Sequence, residues 1–143
     1  MNTTRFLVQR YRWAFLSVLA AFIATSCAIN PETQAKMDEY ARTIPTCMND
    51  TECDRMWALA RTWTLQNSDF SIRGESDTRI SASSNLISQS GTGVTVNKVA
   101  NGSAGSQLVV DLECFSAYSC PDIWDLKIDF NKVIEPLKLS KEN

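Results

Sequence analysis

The chain contains no histidine. That absence removes Ser-His-Asp and Cys-His catalysis, together with most catalytic zinc sites. Glycine is scarce, five in 143 residues. The pair in Gly91-Thr-Gly93 reads as a turn rather than a phosphate cradle, because no helix start follows it. No G-x-S-x-G, S-x-x-K or C-x-x-C occurs, so the common nucleophile and redox-pair motifs are missing. The apolar run Trp13–Ile23 falls short of the ~20 residues that a membrane-spanning helix needs. Basic residues are also few. Without Arg5, Arg10 and Arg12, 11 remain against 16 acidic ones, a net of −5. Nucleic-acid binding, which needs a basic stripe, is therefore not expected.

What is present begins at the N-terminus. Arg5, Arg10 and Arg12 precede the apolar run, and Ala24-Thr25-Ser26-Cys27 follows it. Basic, apolar and small residues in that order mark residues 1–26 as a secretory signal peptide, outside the fold. Ala24–Cys27 resembles the lipobox of bacterial lipoproteins, whose cysteine is acylated and becomes the new N-terminus. The alternative is cleavage after Ala28, which would release a soluble protein starting at Ile29. In lipoproteins the residue after the acylated cysteine influences sorting. Ala28 stands there, not the aspartate of inner-membrane retention, so the resemblance implies the outer membrane. Several acyl chains on Cys27 would anchor the chain stably, where a single chain is marginal.

Residues 27–46 are expected as a lipidated tether. Asn30-Pro31-Glu32 has the composition of a helix start, but the apolar stripe after it is thin. A short, loosely docked helix or a disordered linker fits. A domain over residues 47–137 follows, then a solvated tail at 138–143. Cys53, Met56, Trp57, Ala60, Trp63 and Thr64 recur at helical spacing behind the caps Asn49–Glu52. The period then falls to two, predicting strands over Phe70–Arg73, Thr78–Ser83, Val94–Val99 and Ser106–Glu113. Gly74–Ser76 and Asn101–Gly105 are the expected turns, and residues 84–91 a serine-rich loop. Cys120-Pro121-Asp122 opens a last helix, with Pro121 in its first turn and Pro136 ending it. The apolar positions of that helix are Ile123, Leu126, Phe130, Val133 and Ile134, widened by Trp124 and Ile128. The fold class is α+β: an antiparallel sheet of about four strands with two helices on one face.

Five cysteines stand at 27, 47, 53, 114 and 120. An odd count in an exported protein leaves one thiol to explain. Processing at Cys27 takes it out of the count, by acylation or by removal. The favoured pairs are Cys47–Cys53 and Cys114–Cys120, each clipping the incoming chain to a helix start. The loop-entropy model gives roughly 2 kcal/mol for so short a loop. A crossed Cys47–Cys114 bridge is the alternative. Structural zinc is not expected, because neither pair has C-x2-4-C spacing.

Trp57, Trp63 and Trp124 sit on two helices expected to be neighbours. Aromatics around a cleft bind sugars or lipid moieties, but large aromatics more often fill cores. Asp111 and Glu113 share one face of a strand about 7 Å apart, as in a paired-carboxylate site and as on the wet face of any antiparallel sheet. The second reading is the default.

The pattern Cys47-x5-Cys53-x2-Met56-Trp57, then Trp63, Ser76-Asp77, Lys98, Cys114-x5-Cys120-Pro121-Asp122 and Asp129-Phe130-Asn131 resembles a group of small exported Gram-negative proteins classed as lipoproteins. The resemblance covers roughly residues 47–135 and implies no activity for any residue. The expectation is a cell-envelope lipoprotein, without cofactor or catalysis, serving as an interaction or accessory module. Its contacts would be the membrane through Cys27 and an envelope protein or the cell wall. The alternatives are a binding module for a cell-wall or lipid-like ligand at the tryptophans and, further off, a carboxylate enzyme.

Overall fold

Asn49 ends an extended segment and its side-chain Oδ1 accepts the Glu52 amide at 2.9 Å. Glu52 Oε2 reaches back to the Met48 amide at 2.8 Å. The Glu52 amide is one of the donors that a helix start leaves unpaired, and the Glu52–Met48 bond ties down the residue just before the cap. The helix they open, Asp50–Asn67, buries Met56, Ala60, Trp63 and Thr64 along one stripe. Its end is stitched to the sheet. The Ser68 amide donates to Thr64 O, while the Ser68 hydroxyl lies 3.1 Å from both the Ala82 and Thr92 carbonyls.

The computed structural model describes residues 29–84, 90–115 and 120–135. The expected signal peptide, Cys27, most of the serine-rich loop, Pro136 and the tail lie outside the described residues. The chain divides into two units, Met1–Pro31 and Glu32–Asn143, and the second carries the fold. In chain order the elements are α1 (Pro31–Arg42), β1 (Thr46–Cys47), α2 (Asp50–Asn67), β2 (Gly74–Glu75), β3 (Arg79–Ala82), β4 (Thr92–Ala100), β5 (Ser106–Cys114) and α3 (Ile123–Ile134). The strands form one antiparallel sheet in the order β1-β5-β4-β3-β2. The α+β class is as expected, with five strands and three helices.

Register explains which face is covered. Ala82, Val94 and Leu112 stand abreast, as do Ile80, Val96 and Val110. Leu108 and Cys47 continue the same face, and all eight are buried. Met56, Ala60 and Trp63 of α2 and Phe130 and Ile134 of α3 close the core over them. The other face carries Thr95, Asn97, Val99, Asp111 and Glu113, the alternation of a sheet with one wet side.

Several local expectations need correction. Phe70–Arg73 is irregular, and the strand falls on Gly74–Glu75, where a turn was expected. The alternating Phe70 and Ile72 serve a descending loop instead, tied by the Phe70 amide to Ser68 Oγ and by the Arg73 amide to Ser81 O. The turn lies one step later, closed by the Ser76 amide on Arg79 O. Glu75, opposite Ile80, thereby reaches the helix side and pairs with Arg61 at 2.9 Å.

In α3 the cap is Asp122, whose Oδ1 accepts the Trp124 and Asp125 amides, so Pro121 precedes the helix rather than opening it. Val133 is exposed, whereas Asn131 is buried. Residues 31–42, expected within a tether, form α1 as a docked helix. No side chain of α1 is fully buried; Tyr40 packs partly buried against the core, and the other contacts of the helix are polar.

Candidate functional site

The contacts of α1 gather a cluster of charged and aromatic side chains. α1 meets α3 through side chains. Lys36 Nζ lies 2.8 Å from Asp122 Oδ2 and 2.8 Å from Asp125 Oδ1, at the start of α3. One turn on, Glu39 pairs with Lys132 at 3.4 Å. The Tyr40 carbonyl and the Thr43 hydroxyl each receive a hydrogen bond from Asn131 Nδ2 at 3.0 Å. The Tyr40 hydroxyl donates to Val110 O in β5 at 3.1 Å.

Lys127 lies at the centre of this cluster. Its ammonium sits 5.5 Å from the Tyr40 ring and 5.1 Å from the Trp124 ring, and pairs with Asp111 Oδ1 at 3.1 Å. The two rings meet edge to face at 6.1 Å. A lysine flanked by two π faces and a carboxylate has its attractions satisfied, and it holds helix, helix and strand together. Asp111 is thereby engaged in an ion pair, with Glu113 two positions on along the same face. The arrangement is that of a clasp.

The tryptophans do not share one lining. Trp63 is a core residue, its ring 5.2 Å from Phe130 and its Nε1 donating to Asp129 Oδ2 at 2.8 Å. Trp57 is half-buried beneath the Lys98 ammonium, 5.0 Å from the ring centre. Trp124 is half-buried in the α1–α3 clasp. Of the expected cleft, the structure keeps two half-exposed indoles, each beside a different lysine. Lys36, Tyr40, Lys127 and Asn131 escaped the sequence reading. A tyrosine in an otherwise polar helix and an asparagine inside an apolar stripe were the available signals.

Both expected disulfides are formed, Cys47–Cys53 and Cys114–Cys120, with Cα–Cα distances of 5.1 and 5.8 Å. Among the described residues no group of three or more cysteine and carboxylate side chains is placed to hold a metal ion. No described helix is long and apolar enough to cross a membrane.

Three groups of the clasp have displaced proton equilibria, and the hydrogen bonds to Asp122 and Asp125 hold the Lys36 ammonium above the ordinary lysine range. The hydrogen bond from Lys36, followed by those from the Asp125 and Trp124 amides, holds the Asp122 carboxyl below the usual carboxylate range. Burial pushes the Tyr40 phenol up. The sign for Asp122 follows from linkage. A carboxyl whose folded pKa is depressed adds stability above its unfolded value, and that stability is lost as pH falls through the folded value. The thermal midpoint of the wild type is therefore expected to drop more steeply between about pH 5 and pH 3 than that of Asp122→Asn, which retains a capping acceptor but no charge. Parallel profiles for the two proteins would refute this.

No protein-family model, curated protein or solved structure matches the chain.

Proposed function

We propose that this chain is a cell-envelope lipoprotein, anchored through Cys27, whose α+β domain serves as a non-catalytic interaction module. The observation that carries the reading is the partition of the cysteines. Four of the five are consumed in two local bridges within the domain, each spanning six positions. The one outside these bridges is Cys27, at the end of the basic, apolar and small leader. Local bridges of this kind persist where thiols are oxidised, outside the cytoplasm. Ala28 after the cysteine favours the outer membrane as the destination. The clasp favours a structural over a catalytic use of the charged side chains, since Lys36, Asp111, Asp122 and Lys127 are all engaged with one another or with aromatic rings.

The test is the intact mass of the native protein extracted from membranes. The expected species begins at Cys27, carries acyl chains on that residue and lacks four hydrogens for the two bridges. A soluble species starting at Ile29 would overturn the anchor.

A further inference from the structure

β5 is nine residues long, and β1 pairs only with its first two, Ser106 and Gln107. Beyond Leu108, among the described residues, Val110 and Leu112 have a strand neighbour on one side only, β4. The direction of the backbone groups of β5 follows from the ladder. Leu108 N donates to Pro45 O, away from β4. In an antiparallel strand that direction repeats every second residue, so the N–H and C=O of Val110 and Leu112 also point away from β4. Val110 O confirms the parity, since it accepts from the Tyr40 hydroxyl of α1. An unpaired edge of this sort is a template for another strand, and folds blunt it with charges or by covering it. Among the described residues the contacts that cover it are made by side chains. Tyr40 sits on the Val110 carbonyl, and Lys127 reaches from α3 to Asp111 on the opposite face of the sheet.

That cover is attached by a helix suited to release. α1 has no fully buried side chain: Tyr40 alone packs, partly buried, against the core, and the rest of its hold is ion pairs at Lys36 and Glu39 and hydrogen bonds to Asn131. Asn131 is itself buried, and its Oδ1 has no partner among the described residues. A buried acceptor without a donor is costly, so the docked interface is not an optimised one. Just past α1 the chain is secured again by the β1 pairing and the Cys47–Cys53 bridge. α1 can therefore leave without unzipping the sheet.

We propose that α1 is a displaceable guard and that the β5 edge beneath it takes an extended, basic segment of a partner chain by strand addition. The chemistry of the edge selects that partner. Main-chain bonds at Val110 and Leu112 supply affinity, and alternate side chains supply specificity. On the open face the flanking residues of β5 are Asp111 and Glu113, both exposed. An incoming strand places its own alternate side chains beside them, and opposite charges there are favourable. A lysine of the partner would take the place of Lys127 at Asp111. Pairing with a second copy of β5 would instead set carboxylates beside carboxylates. The proposal rests on the reading of the domain as an interaction module and not on the lipid, which the intact mass tests separately.

The experiment uses the full mature chain and a labelled eight-residue peptide of alternating valine and lysine. Lys36→Glu places a third acid beside Asp122 and Asp125. It is expected to speed amide exchange across residues 33–43 about tenfold while leaving β4 amides unchanged, because locally held elements open independently of the core. It is also expected to tighten peptide binding about fivefold, with the Val110 and Leu112 amides slowed in the complex. Lys132→Glu, which breaks the Glu39 pair at the other end of α1, should act in the same direction and serves if Lys36→Glu fails to fold. Three outcomes would overturn the proposal. One is exchange of α1 only together with the whole domain. Another is a loosened α1 with peptide binding unchanged. The last is dimerisation of the variant with no response to the peptide.

Discussion

Gly105→Ala is expected to cost about 3 kcal/mol or more of folding stability, beyond the ordinary range for a loop substitution. Gly105 closes the β4–β5 hairpin with φ +85° and ψ −137°, a conformation open in practice only to glycine. Space is lacking as well. A Cβ there would run into the carbonyl of Cys47, a backbone group that cannot rotate aside. Cys47 is buried, pairs with Ser106 and is bridged to Cys53 at the start of α2. Relieving the clash therefore means lifting β1 off the sheet and pulling on the helix it is bonded to. The measurement is the denaturant midpoint, with Gly102→Ala beside it. Gly102 also has positive φ, +56°, but open space around it, so its cost should stay near 1 kcal/mol. Equal losses at the two positions would show that backbone strain, and not the approach of β1, governs the turn.

Phe130→Ala is expected to be the most damaging core truncation, at about 3–5 kcal/mol. The ring is fully buried and meets Trp63 edge to face at 5.2 Å. Its removal opens a cavity between α2 and α3 and leaves the Trp63–Asp129 hydrogen bond without the packing that orients it. A domain of this size has about 5–15 kcal/mol in total, so the variant would stand near the edge of folding. Val133→Ala, three positions on in α3 but 41% exposed, should stay within about 0.5 kcal/mol. Urea unfolding followed by tryptophan fluorescence checks both, and a Phe130→Ala loss no larger than that of Val133→Ala would contradict the packing described.

The α2 helix, the β4–β5 hairpin and both disulfides were legible because each rests on local information. Asn49 and Glu52 announce a cap, Asn101–Gly105 a turn, and the cysteine spacing a clip. The inward set of Leu108, Val110 and Leu112 was legible for the same reason, strict alternation over a half-buried sheet. What was not legible depends on partners distant in sequence. Phe70 and Ile72 alternate like a strand, yet Ser68 draws the chain into a loop, and the pairing passes to Gly74 and Glu75. β1 has only two residues and exists because β5 presents an edge to it. α1 looked weakly amphipathic, and it is. Its docking depends on single polar contacts with residues such as Asp122, 86 positions away, and periodicity carries no trace of them. The clasp was missed for that reason, and the three tryptophans looked alike because helical spacing does not tell a core indole from one at a rim.

The bridge between Cys47 and Cys53 also bears on mechanics. A pull on the chain ahead of α1 meets first the contacts of that helix, mostly polar apart from Tyr40 and arranged along its length, so they yield one after another. The tear then reaches Cys47. From there tension passes through a covalent bond directly into the N-terminal turn of α2, bypassing the segment between the two cysteines. The domain would give way softly over α1 and then stiffen abruptly, as a cord with a short elastic length and a fixed stop.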